Sequence, residues 1–290
     1  MGINRLLLTI IMGFSLLLTA CSDVNQSTEA DNPTIRMVYP DGAEAVALTS
    51  LTEVVLNEHG YTNVETTYLE LGLLYASLAD GGADIFVDAW LPHTQKKYWE
   101  RYGDSIDILG VVFDDASTGL VVPNYLPINS IDELPEYEDA MTGKIYGIGT
   151  GSGIYASTER AIEAYNLNFE QVASSESAMV TELKRAISAE EPIVITGWKP
   201  HYKWAQHEIK MLEDPKGIYP IDEMVVVARK GFKEEFPEIS TFLTQFNFNS
   251  AELSELINLI AENPRHPKVG AYEFYKRHQE RLDAAFRASP

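Results

Sequence analysis

The 290-residue chain carries a single cysteine, Cys21, so disulfides and thiolate metal clusters are out of reach. Basic residues are scarce: 22 Lys and Arg stand against 43 Asp and Glu, for a formal charge of −21. That balance makes nucleic acid an improbable partner and describes a well-hydrated acidic surface around a core that 45% hydrophobic residues can fill. There is no repeat at solenoid periods, no HExxH or other paired metal-ligand spacing, no GxSxG elbow and no GxGxxG turn. Neither a cofactor nor a metal is therefore expected. Long hydrophobic runs are also missing, apart from Leu6 to Ala20. At fifteen residues that run falls short of the roughly 20 needed to span a bilayer as a helix.

What is present begins with targeting. Arg5 and the run that follows read as a cleaved signal over residues 1–20, and Leu18, Thr19, Ala20 and Cys21 form a lipobox with Cys21 as the lipidated residue. Residues 21–33 are polar and acidic and end in Pro33, the composition of a flexible tether. The expected location is extracytoplasmic, with contact to a membrane through the lipid alone.

About 257 residues follow, more than one core usually holds and typical of two lobes. Short apolar runs at Ile35–Tyr39, Val64–Leu71, Ala83–Trp90, Gly119–Pro123, Lys144–Gly149, Pro192–Trp198 and Met224–Arg229 read as buried strands. They alternate with helical patterns, so the expected class is α/β with mostly parallel sheets flanked by helices. A polar stretch before Gly119 and the run starting at Met224 mark two crossings of the chain. They divide it into lobe 1, residues 34–118 with 227–290, and lobe 2, residues 119–226, with a ligand cleft and two hinge strands between them.

One device occurs twice. Trp90 ends a strand and is followed by Pro92, His93 and Gln95, while Trp198 ends another and is followed by Pro200 and His201. Strand carboxyl ends in α/β lobes face the ligand crevice, so closure would bring the two indoles together. Paired indole faces suit a cation that cannot donate hydrogen bonds, such as a trimethylammonium group. The plainer alternative, each tryptophan packed in its own core, is outweighed by the pairing. Trp99 and Trp204 fall within helical stretches and read as packing residues. An anionic group on the same ligand would find donors in the turn Gly149 to Ile154, where Ser152, Gly153 and Ile154 open a helix whose free amides carry partial positive charge. The glycines would allow close backbone approach.

These motifs, DAWLPHTQKKYW (Asp88 to Trp99), GTGSGIY (Gly149 to Tyr155), ITGWKPHYKW (Ile195 to Trp204), LEDPKG (Leu212 to Gly217) and VARKGF (Val227 to Phe232), resemble those of the substrate-binding proteins of glycine betaine/proline betaine ABC transporters. The resemblance covers almost the whole mature chain. It implies a two-lobed periplasmic-binding-protein fold of type II, a small osmolyte ligand, an ABC permease and its ATPase as partners, and a monomer. It also implies that Trp90 and Trp198 are walls of an aromatic box and that Gly153 and Ile154 are carboxylate-binding amides. Two positions depart from the family. The loop Tyr39 to Thr49 places Gly42, followed by Ala43, where relatives often have a third tryptophan, and Gln95 replaces a frequent histidine, with His93 nearby. Tyr39, Tyr75 and Tyr155 are candidates to fill the missing wall. Asp41 and Glu44 read first as favourable charges in a helical first turn, and second as partners for a cationic or hydroxyl-bearing ligand such as choline or carnitine. An enzyme built on Ser152, His93 and His201 finds no motif to support it, and a ligand-sensing module would bind in the same way as a transport protein.

Overall fold

The computed structural model describes residues 32–287. The expected signal, Cys21 and the tether up to residue 31 lie outside the described residues. The chain opens as β1 (Ile35–Tyr39), α1 (Ala43–Glu58), β2 (Val64–Tyr68), α2 (Leu71–Asp80), β3 (Ile85–Leu91), α3 (Lys96–Tyr102) and β4 (Ile106–Pro123). It continues through β5 (Lys144–Gly147), α4 (Gly153–Ala164), β6 (Glu170–Ala173), α5 (Glu176–Ser188), β7 (Val194–Lys199), α6 (Lys203–Gln206) and β8 (Ile209–Met211). Last come β9 (Asp222–Arg229), α7 (Phe232–Glu235), α8 (Pro237–Thr244), α9 (Ser250–Ala261) and α10 (Pro267–Arg287).

Local chemistry accounts for most of these elements. Every residue of β3 is buried, as expected of a strand covered by helices on both faces. Ser152 caps α4 by accepting the amide N–H of Tyr155, and Asn249 with Glu252 forms a capping box at α9. Gly81, at φ 80°, ends α2 in the left-handed conformation that glycine adopts without strain.

The strands follow the order β2-β1-β3-β9-β4-β7-β5-β6, with β8 also paired to β4. Parallel pairing holds on the outer sides, in β1–β2, β1–β3, β5–β6 and β5–β7. Every antiparallel pairing involves β4 or β9, the two strands that run between the halves.

β4 starts thirteen residues before the Gly119 expected from sequence. Its first part pairs with β9 from Ile106 to Ala116, and its second part pairs with β7 from Ser117. The first part escaped notice because the register shifts repeatedly, leaving Asp114 and Asp115 exposed and breaking the alternation that marks a strand. β9 joins the first half at once: Asp222 pairs with Ala116, and Met224 with Trp90 and Phe113. Residues 222–226, expected in the second lobe, therefore pair within the first. The short strands β6 and β8 carry too few buried apolar residues to be read from periodicity.

Candidate functional site

The first half of the sheet brings carboxylates and an indole to the carboxyl end of β3. Asp88 and Trp90 are two residues apart and so share a face of the strand. The Trp90 Nε1–H donates to Asp88 Oδ1 at 2.9 Å, which fixes the ring. The following loop delivers Thr94 and Gln95. The buried hydroxyl of Tyr75 donates to Gln95 Oε1 at 2.7 Å, so the amide's N–H groups are left to face the cavity as donors. Asp222 anchors this loop by accepting the backbone N–H of His93 at 2.6 Å and of Thr94 at 2.8 Å.

The second half supplies Trp198 at the end of β7, Thr118 beside it on β4, and the start of α4 with Ser152, Gly153 and Ile154. Together with Pro40, Asp41, Glu44, Tyr68, Glu70 and Leu71 these residues enclose a cavity of about 310 Å³.

The two halves are closed on each other. The Trp198 Nε1–H donates to Glu44 Oε2 at 2.9 Å, and the Tyr98 hydroxyl donates to Gly151 O at 2.6 Å. Gly153 lies so near the opposite loop that a Cβ there would sit 2.0 Å from Thr94 O. Its lack of a side chain serves the approach of one half to the other.

The cavity is acidic. Burial first, and then the neighbouring Glu176, push the Glu44 carboxyl up to about 8. Burial, and then Glu44, raise Asp88 well above the usual carboxylate range. Lys203 is fully buried, with Nζ 4.0 Å from the Trp198 ring centroid and without a hydrogen-bond partner among the described residues. Its burial lowers its affinity for a proton. Two carboxyl groups, whose ionised forms a nearby cation would favour, and two indoles around one small space suit a ligand that brings its own positive charge.

Of the residues expected from sequence, Trp90, Trp198, Gln95, Ser152, Gly153 and Ile154 line the cavity together. Asp41 and Glu44 line it too, whereas His93, Tyr39, Gly42, Ala43 and His201 lie outside its lining. His93 is exposed and is held through its backbone, and Tyr39 packs edge-on against Tyr68 at 6.3 Å. Gly42 is the N-cap of α1, where a Cβ would meet Glu44 Oε1 at 3.0 Å, and Ala43 uses its backbone N–H elsewhere. His201 is buried edge-on to Trp198, at 5.0 Å between ring centroids. The aromatic ring that borders the cavity beside the tryptophans is Tyr68, not Tyr39, Tyr75 or Tyr155. Tyr75 lies fully buried behind Gln95. Glu44 does occupy the first turn of α1, and it faces the cavity as well. Asp88 went unnoticed although the period of two along β3 pairs it with Trp90. Tyr68, Glu70 and Thr118 carried no sequence signal.

Residues 33–277 match the OpuAC family, described as the substrate-binding domain of ABC-type glycine betaine transport systems. The glycine betaine/carnitine transport binding protein GbuC of Listeria monocytogenes is 30% identical over 176 residues, which span 59% of this chain and 56% of that relative. The crystal structure of lactococcal OpuAC, in its closed form complexed with glycine betaine, superposes with a TM-score of 0.82 at 34% identity, covering 87% of this chain and 99% of that one. The glycine betaine/L-proline-binding protein ProX of Borrelia burgdorferi gives a TM-score of 0.82 at 30% identity, over 86% and 95% of the two chains. With most of its length matched and its two-lobed sheet in common with these structures, the chain belongs to the family of substrate-binding domains of ABC-type glycine betaine transport systems.

Proposed function

We propose that the chain captures a small quaternary-ammonium osmolyte of the glycine betaine kind outside the cytoplasm and delivers it to an ABC permease driven by its ATPase. In this reading it acts as a monomer anchored through a lipid on Cys21, with one lobe formed by residues 32–116 and 222–287 and the other by residues 117–221. No helix among the described residues is long and apolar enough to cross a membrane. The observation that carries the reading is the meeting of Trp90 and Trp198, one from each lobe, on one cavity where each indole N–H is tied to a buried carboxylate. The rings then offer their π faces to the ammonium, and the amides at the start of α4 with the Gln95 side chain offer donors to a carboxylate.

Binding without chemistry fits the same residues. Ser152 Oγ is engaged in capping α4, His93 is exposed, and His201 lies outside the cavity lining. A larger or hydroxyl-bearing cation, carnitine or choline, is a second reading. It is favoured by the carboxyl groups of Glu44 and Asp88 on the cavity wall, which can accept a hydrogen bond from a hydroxyl.

Titration calorimetry on the soluble chain from residue 22 onward, with glycine betaine, carnitine and choline, tests both readings. Trp90→Ala and Trp198→Ala should each weaken the preferred ligand about 30-fold or more, since a desolvated cation–π contact contributes about 2 kcal/mol or more. Unchanged affinity in both variants would remove the aromatic-box reading.

A further inference from the structure

At the edge of the cavity, a second set of polar groups joins the lobes near Trp198. Helix α1 begins at Ala43 behind Gly42, which has no side chain to cap the free amides. The Ala43 N–H is met instead by Glu176 Oε2 at 2.8 Å, from the first residue of α5 in the opposite lobe. In return Asp41 Oδ2 accepts the N–H of Glu176 at 2.9 Å. Each helix start thus has a carboxylate supplied by the other lobe, placed where free amides and the helix dipole favour negative charge.

The Glu176 carboxylate is positioned from behind. His201 Nδ1 accepts the backbone N–H of Lys203 at 3.0 Å, so the neutral ring carries its proton on Nε2, which lies 3.0 Å from Glu176 Oε1. Burial alone would raise the Glu176 carboxyl, but His201, Lys203 and the Ala43 amide together hold it below the usual range, and so ionised. His201, expected from sequence as a ligand contact, serves this junction.

We propose that Glu176 is a latch between the lobes: a positioning residue whose hold on the first amide of α1 sets how long a bound solute stays, without touching the solute. The inference rests on the capture by closure proposed above. The cost of opening is plain: Ala43 N–H, Glu176 N–H and two carboxylates must exchange good mutual geometry for water. Hydrogen bonds to charged groups contribute more than neutral ones, so loss of one should shorten residence by about tenfold.

Ala43→Pro breaks the contact: proline is tolerated at the first helical position, removes the N–H and puts its Cδ where the Glu176 carboxylate must withdraw, and Gly42 is already extended, as the residue before a proline prefers. Stopped-flow tryptophan fluorescence on the soluble chain, with glycine betaine, carnitine and choline as probes, should show faster dissociation of the bound probe. The expected increase is about tenfold for Ala43→Pro and for Glu176→Ala, with association unchanged. The double variant should be no faster than either single one, because both remove the same bond. Unchanged dissociation rates, or effects that multiply in the double variant, would overturn the latch. If the wild-type chain binds none of the three probes, the functional reading fails separately, and small-angle X-ray scattering on the ligand-free proteins still tests the latch. The wild type should then be more compact than Ala43→Pro, and equal radii of gyration would sink the proposal.

Discussion

Trp90 and Trp198 end strands in opposite lobes and are followed by the same Pro-His pattern, yet their surroundings differ in one respect. The Trp90 indole N–H is bonded to Asp88 on its own strand, whereas that of Trp198 is bonded to Glu44 of the other lobe. The first ring is therefore held whether the lobes are open or shut. The second gains its partner only on closure. On the proposed reading, this difference assigns an order to capture: the lobe carrying Trp90 would offer a preorganised face on which a cation settles, and Trp198 would complete the box as the lobes meet. The histidines divide in the same way, since His93 is exposed beside its proline and His201 is buried in the junction that closes the cleft.

The strongest way to break this comparison is to let the first lobe keep its face while closure is blocked. In Gly153→Ala the new Cβ would lie 2.0 Å from Thr94 O, a backbone atom that cannot yield without moving its loop. We expect a loss of affinity of about 100-fold or more, with the melting midpoint of the ligand-free protein nearly unchanged, because overpacking of this size costs about 1–3 kcal/mol or more in the closed state only. Calorimetry and thermal unfolding check the pair of outcomes. Full affinity in Gly153→Ala would mean that closure tolerates the added methyl group and that the tight approach carries no constraint.

A finer test replaces each indole by a ring without an N–H. Trp198→Phe should cost about tenfold in affinity and leave the ligand-free midpoint in place, because its bond to Glu44 exists only between closed lobes. Trp90→Phe should lower the ligand-free midpoint by several degrees, since Asp88 is left buried within one lobe without its donor. If the two variants behave alike in both assays, the order of capture drawn from these bonds is wrong.

The smallest expected effect is in pH. Glu44 sits near 8 in the folded protein because of burial and Glu176, above the ordinary range it has when unfolded. A carboxyl raised in this way stabilises the closed, empty arrangement at low pH, and that contribution is lost as pH rises through the folded value. A bound cation favours the ionised form, so ligand binding releases a proton. Between pH 6 and 8 the affinity for a quaternary ammonium should rise several-fold. Glu44→Gln should flatten that slope. Affinity that is flat across this range in the wild type would show that the carboxyl does not change charge on binding.

The sequence by itself determined the strand-end tryptophans, the glycine-rich turn that opens α4, the α/β alternation and the family resemblance. Each of these depends on neighbours within a few residues, where periodicity and capping chemistry operate. Only the tertiary structure decided which polar groups share the cavity and which lock the lobes. The Trp198–Glu44 bond joins residues 154 positions apart, and the Ala43–Glu176 bond joins residues 133 apart. No local pattern marks either pair. The same limit hid the first part of β4, where bulges blur the alternation, and favoured Tyr39, Tyr75 and Tyr155 over Tyr68 as the missing wall. Whether a carboxylate near a helix start caps that helix, faces a ligand or caps a helix of the other lobe is set by what packs against it, and that packing exists only once two lobes distant in sequence have closed.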